Sequence, residues 1–412
     1  MHILTKEQKE EFSEILEELG STLDITETQY NAAVKSYEAV GLWLSKEDSE
    51  LAKYEPKIRT QGSFMLGTMI QPEHEDDDLD IDLVCQLQGK NENWTQEHLK
   101  HAVGNRLKAH NLYKEMLDEE GRRCWTLLYR QEAETEKEKY HMDILPSIVD
   151  KGYRTILDKI FSERELIDLD RLAIRITDNK KPNYPIERNH LEWLKSNPFG
   201  YGRWFYQQAI LESVKGFSIN EAVQDVPKYR KRKLPLQRVV QILKRHRDMM
   251  FKGHEHKPIS IIITTLAAKS YNKEEDVIDA LVNVIERMPN HIEEAFSSEH
   301  GGMIKVILNP VNRHENFADK WVAEPERQEN FYKWMKQVKI DIQKALNTSG
   351  GLPLIQESFE LPFGKSIVTK AFSNYGNNMR MKRESGVLKM AAGTGMLGTI
   401  GTTVKGHNFH GR

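Results

Sequence analysis

The chain has 412 residues, of which 39% are hydrophobic, so it is long enough to bury one large two-lobed core or two domains. Its formal net charge of −3 excludes the overall positive field typical of proteins that bind duplex nucleic acid. The two cysteines, Cys85 and Cys124, cannot build a disulfide framework, no apolar run could cross a bilayer, and the first residues lack a signal-peptide core, which together predict a cytoplasmic protein.

Two helices are predicted at the beginning of the chain. Thr5 can cap the first, whose apolar residues recur at helical spacing as far as Gly20, the residue predicted to end it. Thr26 opens the second helix, which runs towards Leu44. Further along, the sequence predicts strands around residues 57–62, 79–88, 122–131 and 139–146, and a helix from Thr95 to His110.

The strand around residues 79–88 carries acids in a pattern that points to metal binding. Asp80 and Asp82 alternate with apolar residues, so the two carboxylates share one face of the strand. Like charges this close repel each other and resist burial, and a bound divalent cation would relieve both effects. Mg²⁺ prefers carboxylate and phosphate oxygens. The pattern therefore predicts a phosphate-handling site with two Mg²⁺ ions, or Mn²⁺ in their place.

A third carboxylate follows in the strand around residues 139–146. Asp143 is the one acid in this apolar segment, and an adjacent strand would place it beside Asp80 and Asp82. Three carboxylates can hold two cations, which would activate a hydroxyl and neutralise a leaving pyrophosphate. Pro146 is predicted to end the strand, because proline has no N–H to donate to a sheet ladder.

Gly62 and Ser63 stand shortly before the acidic strand. Glycine permits a sharp turn, and backbone N–H groups in such a turn, together with the Ser63 hydroxyl, can hold the phosphates of a nucleotide. A Gly-Ser pair alone carries little information. Its position before an acid-x-acid strand and a later one-acid strand makes the combination informative, so we predict both residues to bind nucleotide.

The second half of the sequence predicts mainly helices. Residues 234–244 carry a helical apolar stripe, Ile259 to Ala268 form a buried helix, and Gln328 to Leu346 form a third. Most of the basic residues from 228 to 233 are interpreted as a solvated face. Lys244 is interpreted differently, because it ends the apolar stripe and could project into a phosphate-handling cleft.

These elements predict an α+β protein with a mixed sheet backed by helices, a mostly helical second lobe and a central cleft. The predicted domains are residues 1–195, 196–372 and 373–412, the last a flexible tail rich in glycine and threonine. Phe409 near the tip of the tail suggests a docking role, with an inert tail as the alternative.

The motifs of the first half resemble the polymerase-β nucleotidyltransferase core. They are Gln61-Gly62-Ser63-Phe64, Gly67-Thr68, Asp80-Ile81-Asp82-Leu83 and His141-Met142-Asp143-Ile144-Leu145-Pro146. With the second-half motifs the chain resembles, from about residue 55 to residue 325, the bacterial CD-NTases, relatives of animal cyclic GMP-AMP synthase and oligoadenylate synthase. The second-half motifs are Ser196-Asn197-Pro198, Trp204-Phe205, Leu236-Gln237, Leu243-Lys244-Arg245-His246-Arg247-Asp248, Lys257-Pro258-Ile259-Ser260, Asn309-Pro310 and Glu315-Asn316-Phe317-Ala318-Asp319-Lys320-Trp321.

The resemblance implies a synthase that makes a cyclic di- or trinucleotide from NTPs, ATP among them, in an anti-phage operon. It also implies that Ser63, Lys244 and Ser260 contact the donor phosphates. Ile261 stands where the animal enzyme has a base-stacking aromatic residue. Two separated cysteines cannot build the zinc-binding DNA sensor of the animal enzyme, so direct DNA sensing is not expected. Some relatives are ligated through their C-termini, which implies a regulatory or ligation partner for the tail, although Arg412 would first have to be removed.

Two other functions remain open from the sequence. A template-independent RNA or tRNA nucleotidyltransferase would use the same acids but needs an extended basic groove, which the overall charge does not favour. A non-catalytic binding module would have little reason to keep all three of Asp80, Asp82 and Asp143. Incubation with the four NTPs and Mg²⁺ would separate these three functions.

Overall fold

The computed structural model describes residues 4–72, 79–129, 140–149, 172–211, 229–387, 389–390, 397–398 and 401–403. Within these ranges, no helix combines the length and the apolar character that a bilayer crossing requires. Contacts divide the chain into two compact units. We call Ile25–Arg230 with Leu308–Asn316 the sheet unit, and Met1–Asp24, Lys231–Ile307 and Phe317–Arg412 the helical unit.

The sheet unit contains helices on a mixed sheet. Its helices are α2 (Glu27–Ser45), α3 (Gly62–Leu66), α4 (Gln96–Lys108), α5 (Asn111–Met116) and α6 (Pro198–Ala209). Its strands are β1 (Lys57–Thr60), β2 (Leu79–Leu87), β3 (Trp125–Tyr129), β4 (Tyr140–Val149), β5 (Ile174–Ile176), β6 (Leu194–Ser196), and the short pair β9 (Leu308–Asn309) and β10 (Asn312–Asn316).

Strands β2 and β4 form the centre of the sheet. They pair in parallel, and the order through the sheet is β1-β2-β4-β5-β6, with β3 also paired to β4. The other pairings in this sheet are antiparallel. One edge of β4 is therefore shared by β3, which covers Tyr140 to Ile144, and β5, which begins opposite Ser147.

One face of the central strands is the core of the sheet unit. Alternate residues of β2, from Leu79 through Ile81 to Leu83, are buried in a cluster that also contains Met142 and Ile144 of β4. Side chains from helices α2 and α4 complete the cluster. The alternation predicted from the sequence is confirmed, because the apolar residues of β2 point to this core and the acids between them point away.

The proline in β4 does not end the strand, so this prediction is wrong. β4 continues through Pro146 to Val149, and Pro146 lies opposite Cys85 of β2. On the other edge of β4, Pro146 falls between Ile144, the last partner of β3, and Ser147, the first partner of β5. Among the described residues, no strand pairs with Pro146 at that edge, which explains why a residue without an N–H is accepted there.

The helical unit contains α1 (Lys6–Leu23), α7 (Pro235–Phe251), α8 (Ser260–Ser270), α9 (Val277–Arg287), α10 (Pro325–Asn347), α11 (Leu352–Phe363) and α12 (Lys365–Glu384). It also contains the hairpin β7 (Glu293–Ser297) and β8 (Gly302–Val306), which the sequence analysis missed, and short strands β11 (Lys389–Met390), β12 (Leu397–Gly398) and β13 (Thr402–Thr403). The predicted helices at 234–244, 259–268 and 328–346 are confirmed by α7, α8 and α10.

Helix α1 begins at the predicted cap but does not end at Gly20. Thr5 forms a capping box with Gln8, as expected for this residue type. The helix continues to Leu23, and a Cβ atom at position 20 would lie 2.6 Å from Cδ of Arg238. Gly20 therefore permits the close approach of a side chain from α7, and the prediction of a helix end was wrong because a glycine can serve packing as well as termination.

The units also differ from the predicted domain boundaries. The first helix of the chain belongs to the helical unit, although it precedes the sheet unit in sequence. The predicted boundary at residue 373 lies inside α12, whose Ala371 and Tyr375 are buried, because α12 packs against α1. Residues 404–412, which include Phe409 and Arg412, lie outside the described residues.

Candidate active site

Two carboxylates face each other across the centre of the sheet. Asp82 of β2 is the direct partner of Asp143 of β4, and Asp80 is the partner of His141. Because paired residues on adjacent strands point to the same side of a sheet, these four side chains share the face opposite the core. The adjacent-strand position that we predicted for Asp143 is confirmed.

Gly62 lies directly against the carboxylate of Asp82. Its φ angle is +58°, and a Cβ atom at this position would come within 2.3 Å of Oδ2 of Asp82. Both the backbone conformation and the lack of space require glycine here. The neighbouring Gln61 N–H also donates to the Asp82 carbonyl oxygen at 2.9 Å. The Gly-Ser turn and the acidic strand are therefore parts of one local structure.

Helix α3, which begins at Gly62, is fixed on two sides. The Phe64 ring stacks on Tyr30 of α2 with ring centroids 4.9 Å apart. The Tyr206 hydroxyl of α6 donates to the carbonyl oxygen of Met65 at 3.0 Å. Ser63 is partly exposed in the first turn of α3, and its carbonyl oxygen accepts the Thr68 N–H at 3.0 Å.

The side chain of Asp143 is held by a neighbour on β3. Thr126 lies directly opposite Asp143 in the β3–β4 ladder, and its hydroxyl donates to Oδ1 of Asp143 at 2.5 Å. Asp143 is partly exposed. Thr126 on β3 thus orients the Asp143 carboxylate, which faces Asp82 on β2.

Asp80 lies in a more open position. Its side chain is 83% exposed, and its Oδ1 atom is 3.9 Å from Nδ1 of His141. Exposed pairs of this kind add little to stability. Asp80 is therefore available to solvent, and to a ligand, to a greater extent than the partly exposed Asp82 and Asp143.

The acids produce a negative field that reaches Cys124, the residue before β3. Burial, followed by the charges of Asp143 and Asp82, raises the pKa of the Cys124 thiol to about 12. Lys100 and Arg123 act in the opposite direction and do not cancel the effect. Cys124 is therefore a neutral thiol at physiological pH. The negative charges that raise its pKa would also attract a cation to this face of the sheet.

The donors at this face suit a hard cation, although they are not assembled into a closed metal centre. Among the described residues, no three His, Cys, Asp or Glu side chains converge as a metal-binding group. Asp80 points into solvent, whereas Asp82 and Asp143 face each other on adjacent strands. Carboxylate oxygens are the ligands that Mg²⁺ and Mn²⁺ accept, so these residues fit the predicted cations chemically.

The predicted nucleotide-binding residues fall into two groups. Gly62 and Ser63 belong to the sheet unit with the acids, whereas Lys244 and Ser260 belong to the helical unit. Lys244 lies within α7, which continues to Phe251, and the residue is only 5% exposed. The Ser260 hydroxyl, at the start of α8, accepts a hydrogen bond from Nη1 of Arg247 at 2.9 Å.

Two residues beside the acids, Thr126 and His141, were not among the predicted site residues. His141 could have been found, because it precedes Asp143 by two positions on the same strand and so shares its face. Thr126 carries no such signal, because the β3–β4 register that places it opposite Asp143 depends on residues far apart in sequence.

Comparison with known proteins gives one family-model match and two relatives that match over most of their length. Residues 56–146, which contain Gly62, Ser63 and the three acids, match the nucleotidyltransferase domain of cyclic GMP-AMP synthase DncV-like proteins. The chain is 28% identical over 401 residues to a c-di-GMP synthase of Roseivirga ehrenbergii, covering 95% of this chain and 94% of the relative. It is 20% identical over 390 residues to the cyclic dinucleotide synthase CdnG of Bradyrhizobium diazoefficiens, covering 90% and 84%.

Solved structures are similar in fold. The Bradyrhizobium diazoefficiens CD-NTase CdnG in complex with GTP superposes with a TM-score of 0.64 at 18% identity, covering 88% of this chain and 99% of that one. CdnC of E. coli MS115-1 with ATP gives a TM-score of 0.55 at 14% identity, covering 86% and 98%. At these identities the likeness establishes the fold, an α+β nucleotidyltransferase core with a helical lobe.

Proposed function

This chain belongs to the bacterial CD-NTases and is a nucleotidyltransferase, and we propose that it joins two nucleoside triphosphates into a cyclic dinucleotide on the acidic face of its sheet. The main support for this site is that Asp82 pairs with Asp143 on adjacent parallel strands and that Gly62 contacts the Asp82 carboxylate. The Gly62-Ser63 turn and the two carboxylates therefore belong to one local structure, which supports a shared role in binding nucleotide.

In this proposal Asp80, Asp82 and Asp143 are the catalytic and metal-binding residues. Mg²⁺ or Mn²⁺ held by them would neutralise charge on the donor phosphates and lower the pKa of the attacking hydroxyl. Gly62 allows the turn to pack directly against the Asp82 carboxylate, and Ser63 supplies a partly exposed hydroxyl at the same turn. Lys244 and Ser260 are the further phosphate contacts of this proposal, which is supported by their positions in the family motifs.

Each bond-forming step is a displacement at phosphorus. A ribose hydroxyl of the acceptor attacks the α-phosphorus of the donor, a new phosphodiester bond forms, and the bond to the β-phosphate breaks to release pyrophosphate. The hydroxyl proton leaves to solvent or to a nearby carboxylate. Two such steps convert two triphosphates into one ring and two pyrophosphates, which gives a measurable stoichiometry.

We propose GTP as the first substrate to test. The Roseivirga ehrenbergii relative, which matches this chain over 94% of its own length, is named a c-di-GMP synthase. This name supports a guanine dinucleotide as the product. The earlier expectation of ATP stays a prediction, as does the anti-phage role. The comparisons support cyclic dinucleotide synthases and not the RNA or tRNA nucleotidyltransferase.

Two further predictions concern the surroundings of the enzyme. The regulatory or ligation partner was predicted at the C-terminal tail, whose last nine residues lie outside the described part of the chain. The cytoplasmic location was predicted from the cysteines together with the lack of a bilayer-crossing run and of a signal-peptide core. Cys85 and Cys124 are free thiols in the structure, as a reducing compartment would keep them. Both stay predictions.

The test is to incubate the purified full chain with each NTP alone and with all four, in Mg²⁺ and in Mn²⁺, and to identify products by mass and nuclease mapping. We expect a nuclease-resistant cyclic dinucleotide and two pyrophosphates per ring. Asp82→Asn should abolish formation of the cyclic dinucleotide. The control is Asp48→Asn, which removes a carboxylate from an exposed pair with Arg106 and should leave product formation unchanged. Elongation of added RNA, without a cyclic product, would contradict the proposal.

A further inference from the structure

The hydrogen bond between Thr126 and Asp143 is short and directional. The Thr126 Oγ1 atom lies 2.5 Å from Oδ1 of Asp143, at the short end of the range for hydroxyl-to-carboxylate hydrogen bonds. An ionised carboxylate can only accept, so the hydroxyl donates its proton to this oxygen. One oxygen of Asp143 is thereby fixed, and the plane of the carboxylate cannot rotate freely.

The strand that carries Thr126 is anchored just before it begins. Arg122 and Arg123 both bind the fully buried carboxylate of Asp178, with Nε–O distances of 2.8 and 3.1 Å. The buried Lys100 ammonium donates to the carbonyl oxygen of Arg122 at 3.1 Å. These bonds fix the entry of β3, so the position of the Thr126 hydroxyl is set by the packed structure rather than by a mobile loop.

The face of the sheet to which Thr126 points distinguishes it from other threonines of the sheet. Thr60 of β1 lies opposite Leu83 and therefore points to the core side, away from the acids. Its hydroxyl is buried and makes no hydrogen bond to any residue that the structure describes. The sheet thus contains one threonine whose hydroxyl holds a predicted metal ligand and another whose hydroxyl does not, which provides a matched control.

We propose that Thr126 is a positioning residue: its hydroxyl orients Asp143 for cation binding, an inference that rests on the function proposed above. A carboxylate that must find its orientation during binding loses conformational freedom at that moment, whereas one held by a hydrogen bond has already lost it. Partners that orient metal ligands in this way typically contribute about 10- to 100-fold in metal affinity or activity.

The experiment compares Thr126→Val, Thr126→Ser and Thr60→Val in the full chain. Valine keeps the branched shape and removes the donor, whereas serine keeps the donor and removes the methyl group. Mn²⁺ binding is measured from the electron paramagnetic resonance signal of free Mn²⁺, in the presence of a non-hydrolysable GTP analogue, so that no turnover is needed. The turnover rate as a function of Mg²⁺ concentration and the thermal midpoint without metal are measured on the same samples.

We expect Thr126→Val to weaken Mn²⁺ binding about 10- to 100-fold, and to raise the Mg²⁺ concentration for half-maximal turnover similarly, with a thermal midpoint close to that of the wild type. Thr126→Ser and Thr60→Val should bind Mn²⁺ within a few-fold of the wild type. Equal loss in the valine and serine variants, or wild-type Mn²⁺ affinity in Thr126→Val, would overturn the proposal. If the wild type makes no cyclic product but the Mn²⁺ result is as expected, the proposed function fails and the role of Thr126 stands.

Discussion

The backbone of Gly62 lies so close to the Asp82 carboxylate that a Cβ atom at position 62 would come within 2.3 Å of Oδ2. The same glycine has a φ angle of +58°, which other residues adopt only with strain. The Gly62-Ser63 turn and the acidic strand are separate motifs in the sequence, and they are in direct contact in the structure.

Gly62→Ala should disrupt the site and lower stability. The added methyl group displaces the Asp82 carboxylate and is strained at this φ angle, so we expect a loss of more than about 1 kcal/mol in the free energy of unfolding and a large loss of product formation. Gly89→Ala is the matched control, because Gly89 has an ordinary φ angle and no atom within 4 Å of the added Cβ. Equal effects of the two changes in urea unfolding and turnover would contradict this explanation.

Asp82→Asn should separate activity from stability. The change keeps the size of the side chain but removes one of two charges that face each other across β2 and β4. Without divalent cations the thermal midpoint should stay the same or rise, because repulsion with Asp143 is relieved, while cation binding should no longer raise it. A clear fall of the metal-free midpoint would show that Asp82 stabilises the fold through other contacts.

Gly20→Ala should destabilise the helical unit although alanine favours helices. The methyl group would meet the Arg238 side chain at 2.6 Å, and Arg238 is held by Glu17 at 3.0 Å and by Asp24 at 2.8 Å. Overpacking of this kind typically costs about 1–3 kcal/mol, more than the helix propensity gained.

The control for this change is Gly376→Ala in α12, where nothing lies within 4 Å of the added Cβ. It should leave stability unchanged or raise it by about 0.5–1 kcal/mol, because glycine is unfavourable within a helix. Thermal midpoints of both variants decide the matter, and a stabilised Gly20→Ala variant would mean that Arg238 moves aside without loss.

Asp178 should contribute pH-dependent stability. Burial by itself raises its pKa, but the hydrogen bond from Arg122, a backbone N–H and the charge of Arg123 outweigh it and hold the pKa below the ordinary 3.8. A carboxyl group whose pKa is lower in the folded state stabilises the protein above its ordinary pKa, and this contribution is lost as the pH falls through the folded value.

The measurement is the free energy of unfolding of wild type and Asp178→Asn, from neutral pH to about pH 3. We expect the variant to be less stable at neutral pH. The difference should begin to shrink near pH 3.8, where the carboxyl group of the unfolded chain becomes protonated, and should continue to shrink as the pH falls towards the lower folded pKa. A difference that stays constant over this range would mean that the ionised form of Asp178 has no special role.

The sequence by itself determined the local features of the site. Alternation in β2 fixed which face carries Asp80 and Asp82, because successive strand residues point to opposite sides. The turn at Gly62 and the helix caps at Thr5 and Thr26 could also be predicted, because each depends on the chemistry of a few neighbouring residues. The order of the motifs was enough to recognise the family.

Only the tertiary structure decided how distant segments meet. The partnership of Thr126 with Asp143 depends on the β3–β4 register, and the acceptance of Pro146 depends on which strand lies beside it. Gly20 was interpreted as a helix end because the sequence does not show Arg238 approaching from 218 residues away. Pairing and close packing between residues far apart in the chain are set by the whole fold, and local patterns carry no information about them.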